Sequence, residues 1–167
     1  KCAVLSNPVS KNSEISLYVI SMNNSGHLST TPFVTKNNIK KWLTNYKPLN
    51  DTIVIKDAKV VNFGIEFKTI ADSNYDSASV MTNIREKIED YFSIPMSVGE
   101  PIYLSPLWSL INKIKGVVDV KRLRVYNKSG GSYSSNYLDF DDVTSNDGTY
   151  IKTPRNVIME LKYISED

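Results

Sequence analysis

The 167-residue sequence predicts an α+β fold. It reads as two layers: a mainly antiparallel sheet with a strand-helix-helix-strand core, and helices packed on one face. Three observations predict this. Val61, Phe63, Ile65 and Phe67 alternate with Asn62, Gly64, Glu66 and Lys68, the period of a half-buried strand. Residues 80–92 and 105–116 then carry apolar side chains at helical spacing, and from Val117 the alternation returns. Two helices inserted between two strands of one sheet cover the same face of it.

From the N-terminus, Cys2 to Leu5 reads as a short strand whose partners are expected upstream of Lys1. The start at Lys-Cys-Ala, without Met, suggests a piece of a longer protein. Ile15, Leu17 and Val19 alternate with Ser16, Tyr18 and Ile20 as a clearer strand, and Asn23, Asn24, Ser25 and Gly26 form the turn after it. Thr35 offers an N-cap to a short helix with Ile39, Trp42, Leu43 and Tyr46 at i, i+3, i+4 and i+7. That helix is expected to end near Asn45, since Pro48 forbids its continuation, and Trp42, within the stripe, is expected in the core. A domain boundary is placed at Lys47 and Pro48. Residues 1–47 are then the end of a preceding small α/β segment, and 48–167 the C-terminal α+β domain.

Ile53 to Ile55 is β-branched and leads into the main strand. In the first core helix Val80, Ile84 and Ile88, with Met81, Tyr91 and Phe92, oppose Arg85, Glu86, Glu89 and Asp90. The second is predicted to start at an N-cap Ser105 with Pro106 at its first position, and to leave through Gly116. Leu107, Leu110, Ile111 and Ile114 make its apolar face. In the strand that follows, Val118 and Val120, then Leu123 and Val125, face inward. Residues 127–150 are rich in Ser, Gly, Asn and Asp, an excursion that Tyr133, Tyr137 and Phe140 would pin. Val157, Met159, Leu161 and Tyr163 alternate in a closing strand expected to join the main sheet.

Composition narrows the function classes. An apolar share of 41% and a charged share of 23% are those of a globular chain with a real core. No apolar run reaches the roughly 20 residues of a membrane helix. The net charge of +2 is too mild for a nucleic-acid footprint. Lys113, Lys115, Lys121, Arg122, Arg124 and Lys128 are close in sequence, and a solvated helix end and outer strand face explain them. Cys2 is the single cysteine, so neither an intrachain disulfide nor a thiolate metal site can form, and synthesis in a reducing cytoplasm is the simplest expectation. Asn23, Asn50 and Asn127 fit N-x-[ST] by chance.

Chemistry is hard to find in this sequence. His27 is alone in a turn, without the nucleophile or third group that a triad needs, and with no second histidine for a metal. Asp139, Asp141, Asp142 and Asp147 invite a calcium loop. The pattern fails, because Val143 takes the fifth position, Thr144 that of the glycine and Tyr150 that of the twelfth-position Glu. Glu86 and Asp90 lie one turn apart on the polar helix face, and Ser129-Gly130-Gly131-Ser132 opens no helix. No catalytic, cofactor-binding or metal residue is assigned, and the chain is read as not an enzyme, with no small-molecule substrate.

Several blocks in order resemble the C-terminal part of a baseplate wedge subunit of contractile-tailed bacteriophages, the Baseplate-J-like family. They include Leu43 to Tyr46 with Asn50-Asp51-Thr52-Ile53, Val60 to Phe67, Ile88 to Phe92, and Gly99-Glu100-Pro101-Ile102-Tyr103-Leu104-Ser105. Gly116-Val117-Val118-Asp119-Val120, Asn127-Lys128-Ser129-Gly130-Gly131 with Tyr133-Ser134, and Gly148-Thr149-Tyr150 follow, so the resemblance covers about residues 42–163. It implies a structural role without a catalytic motif: a virion protein, assembled in the host cytoplasm, that pairs with a copy of itself as a homodimer. It would also contact other baseplate wedge proteins in a ring around the hub, with no nucleic-acid or membrane partner and no cofactor. Trp108, at the edge of its helix stripe, and Tyr133, Tyr137 and Phe140 in the excursion are the expected partner contacts, since aromatics anchor interfaces. For Trp108 the competing reading is core packing, and for the loop aromatics it is internal pinning. Two rival functions remain open: a receptor- or glycan-binding module using loop 127–150, and a small hydrolase using the loop aspartates with a metal.

Overall fold

The computed structural model describes residues 1–7, 14–24, 26–47, 51–131 and 133–166, with 5–7 and 163–166 described by their backbone. The expectations for Ser25, Pro48, Asn50, Ser132 and the Tyr163 side chain lie outside the described residues. Helices and mixed and antiparallel sheets make an α+β fold. The chain divides into two compact units, Lys1–Val60 with Ser97–Gly99 and Pro154–Ile158, and Val61–Met96 with Glu100–Thr153 and Met159–Asp167. The first unit therefore runs on past Lys47 and Pro48.

In the first unit β1 (Cys2–Asn7) pairs antiparallel with β2 (Glu14–Val19), placing Val4 opposite Leu17. β1 thus has a partner, β2, within this chain. The turn at Asn23 and Gly26 joins the two-residue strands β3 (Ser21–Met22) and β4 (Leu28–Ser29). Helix α1 (Phe33–Thr44) follows, and β5 (Thr52–Asp57) then lies parallel to β2. Ile20, Ala58, Val98 and Ile158 form a small core. Helix α1 starts two residues before the expected Thr35 cap, from Pro32, with no side-chain cap. What tethers it is an ion pair from Lys36 Nζ to Asp57 Oδ2 at 2.7 Å.

The second unit is built on β6 (Lys59–Ala71), flanked in its sheet by β8 (Val117–Asn127) and β10 (Val157–Glu166). Between β6 and β8 come α2 (Ser77–Tyr91), β7 (Ile102–Tyr103) and α3 (Leu104–Asn112). Asp76 caps α2, accepting from the Ser79 N–H (2.9 Å) and Oγ (2.8 Å). Val80, Ile84 and Ile88 of α2, and Leu104, Leu107 and Ile111 of α3, are buried with Phe63, Ile65 and Phe67 of β6. Burying each such side chain is worth roughly 1.5–3 kcal/mol.

The α3 start differs from expectation. Tyr103 is the N-cap position, Ser105 lies inside the helix, and the Leu104 N–H is met by the Thr149 carbonyl at 2.8 Å. Pro106 still fits, because first-turn N–H groups have no intrahelical acceptor. Ile114 falls beyond the end of α3, and Gly116 leaves at φ 88° with Val80 Cγ2 2.7 Å from where a Cβ would stand.

Two irregularities in the β6–β8 register explain the parity change in β8. Phe67 faces Leu123 and Lys68 faces Arg122, but Thr69 faces Val120, so Lys121 is bulged out. A second shift leaves Val118 unpaired and 63% exposed, correcting its inward assignment. The middle of β6 is not half-buried as predicted, since Asn62 and Gly64 are buried as well. Gly64 stands opposite Tyr126, whose ring occupies the space a side chain at Gly64 would need, with Cζ 2.6 Å from the Cβ position. Beyond β8 come α4 (Phe140–Val143) and β9 (Tyr150–Ile151), which pairs with β7. Among the described residues no helix is long and apolar enough to cross a membrane.

Candidate interaction surfaces

The excursion between β8 and β9 is held by two side-chain amides, one buried and one half-buried. Asn62 Oδ1 accepts from the Ser134 N–H (2.7 Å), and its side-chain amide donates to Glu160 Oε2 (2.9 Å). Asn127 brackets Leu138, accepting its N–H (3.3 Å) and donating to its carbonyl. Lys128 Nζ lies 5.4 Å from the Tyr126 ring centroid and 6.0 Å from that of Tyr133, a cation between two aromatic faces.

These contacts sort the four expected partner residues. Phe140 is buried at 7% exposure in α4, in keeping with the internal-pinning alternative. Tyr133 is half-buried and engaged with Lys128, Trp108 is half-buried on α3, and Tyr137 stands 67% exposed. At the end of the excursion Tyr150 lies 6.0 Å from the ring of the exposed Tyr103, tilted by 41°.

Two of the loop aspartates, Asp139 and Asp147, hold local structure. Asp139 caps α4 through the Asp141 N–H (3.0 Å). Asp147 is held below the ordinary carboxylate range by the Ser145 hydroxyl first, then by the Thr149 hydroxyl and N–H. Glu86 and Asp90 are exposed on α2, and Lys87 pairs with Asp90 at 3.5 Å. His27 is exposed, its N–H donating to Asn23 Oδ1 in the turn. Lys121 of the basic group pairs with Asp119 at 3.1 Å.

The surface that sequence reasoning missed is on α1. Its apolar stripe, Ile39, Trp42 and Leu43, prolonged by Tyr46 in the turn after the helix, faces the sheet across an open apolar groove of about 720 Å3. No residue of α1 is buried. Trp42 is 61% exposed, its ring 4.7 Å from and tilted by 45° to that of Tyr46, itself 70% exposed. This corrects the expected core position of Trp42: the stripe has the periodicity of a packed face, but nothing in the described chain closes over it.

No family model matches the chain, and no curated protein matches it. Among solved structures it is similar to a chain of "Cryo-EM structure of the anti-feeding prophage (AFP) baseplate, 6-fold symmetrised", with a TM-score of 0.55 and 10% identity. The match covers 89% of this chain and 29% of that one. At this identity the likeness is one of fold, and this chain spans less than a third of its neighbour's length.

Proposed function

We propose that this chain is a structural, non-enzymatic component of a contractile-tail baseplate, a wedge subunit of the Baseplate-J-like kind. In this reading it pairs with a copy of itself, contacts other wedge proteins in a ring around the hub, and ends up in the virion after assembly in the host cytoplasm. The observation that carries the reading is the shared fold with a baseplate chain over 89% of this sequence. Two features support it. Asp139 and Asp147, two of the residues that could suggest chemistry, hold a cap and a turn, and the apolar groove on α1 suits protein contacts.

The test is deletion of the gene from the genome that encodes this chain, followed by electron microscopy of the particles. The expected result is loss of complete contractile tails, with restoration by the gene in trans. Complete, contractile tails in the deletion strain would overturn the reading.

A further inference from the structure

We propose that the groove between α1 and the β1-β2-β5 sheet is the docking site for an acidic amphipathic helix of another protein. Its floor is Val4, Ile15, Leu17 and Ile53, and its wall is the α1 stripe. Monomeric chains rarely leave such a contiguous apolar surface in water, and a 12-residue helix without buried residues is marginal alone. Ile39, Trp42 and Leu43 repeat at i, i+3 and i+4 on α1, and Tyr46 prolongs the wall just past its C-cap, a spacing that suits the ridge of a second helix.

Charge specifies the occupant. Residues 33–47 hold Lys36, Lys40, Lys41 and Lys47 and no Asp or Glu. Lys36 is neutralised by Asp57. Lys47, just past the α1 C-cap, lines the groove, and on the helical wheel Lys40 lies beside the stripe of Ile39 and Leu43. Lys47 Nζ reaches the Asp51 carbonyl oxygen at 2.6 Å, a neutral acceptor that leaves its charge uncompensated. Carboxylates flanking the apolar face of an incoming helix would meet these two ammonium groups. A second copy fits less well, because two-fold pairing through this face sets the same cationic border against itself. The inference rests on the groove and its charges, not on the baseplate reading, so either can fail alone.

The test uses the full chain and three labelled synthetic peptides, read by fluorescence anisotropy at low salt. One is a helix with Leu at i, i+3, i+4 and i+7 flanked by Glu, one is its Lys-for-Glu counterpart, and one is a shuffled Glu peptide without a stripe. The Glu helix is expected to bind at least about tenfold more tightly than the other two. Trp42→Ala should weaken it by about tenfold or more without altering the far-ultraviolet circular dichroism, since Trp42 is exposed. The Lys40→Glu/Lys47→Glu double variant should prefer the Lys helix. Equal binding of the Glu and Lys helices, binding of none, or unchanged affinity in Trp42→Ala overturns the proposal. A concentration-dependent dimer abolished by Trp42→Ala would assign the face to a second copy and overturn it too.

Discussion

The two units each lay amphipathic helix on sheet, and they finish the job differently. In the second, α2 and α3 bury Val80, Ile84, Ile88, Leu104, Leu107 and Ile111 in a filled core. In the first, α1 presents a stripe of equal regularity, and none of its residues is buried. Amphipathic periodicity states which side of a helix is apolar; it does not state who covers it. The difference separates a part whose apolar helix faces are filled from one whose stripe stays open among the described residues.

Core truncation should break the comparison most sharply. Ile84→Ala or Leu107→Ala, each at a fully buried position, should cost about 2–5 kcal/mol in denaturant unfolding. Trp42→Ala, at an exposed position, should stay within about 0.5 kcal/mol. A Trp42→Ala loss as large as that of Ile84→Ala would mean that the groove is closed in solution.

Next in size is Gly116→Ala. It forces a positive φ on a residue with a Cβ and crowds Val80, so roughly 1–3 kcal/mol should be lost, readable as a lowered midpoint of unfolding. Asn62→Ala should cost about 1–3 kcal/mol, because the Ser134 N–H and Glu160 lose their buried partner. It should also speed proteolysis in the excursion, and an unchanged cleavage rate would show that Asn62 does not hold that segment.

The smallest effect is one of pH. Asp147 titrates below its ordinary value of about 3.9, so its bonds stabilise the turn at neutral pH and are lost as pH falls through that lowered pKa. The Thr149 amide, which donates to Asp147, should report this by nuclear magnetic resonance, and Ser145→Ala should move the transition upward.

Much of the second unit was legible because its strands and helices bury what their own period points inward. Val80, Ile84 and Ile88 follow 3.6, and Val61 to Phe67 follow 2. What was not legible came from partners distant in sequence. The bulge at Lys121 shows only as a change of parity from Val120 to Leu123, and the burial of Asn62 and Gly64 depends on Tyr126 and Ser134. The start of α3 moved because the Thr149 carbonyl does the work a Ser105 side chain was expected to do. Of the four aromatics expected at contacts, Phe140 lies inside α4's anchor and Tyr137 stands in solvent, a distinction no local pattern makes. Trp42 is the most instructive miss, since its periodicity was read correctly and its neighbour was assumed.

Hydrogen–deuterium exchange on the free 167-residue chain tests the contrast between the units most directly, because amide protection follows the buried contacts that must open. The account expects the amides of α1 (Phe33–Thr44) to exchange well before those of α2 (Ser77–Tyr91), and to slow when the acidic helical peptide is added. Equal protection of the two helices in the free chain would contradict it.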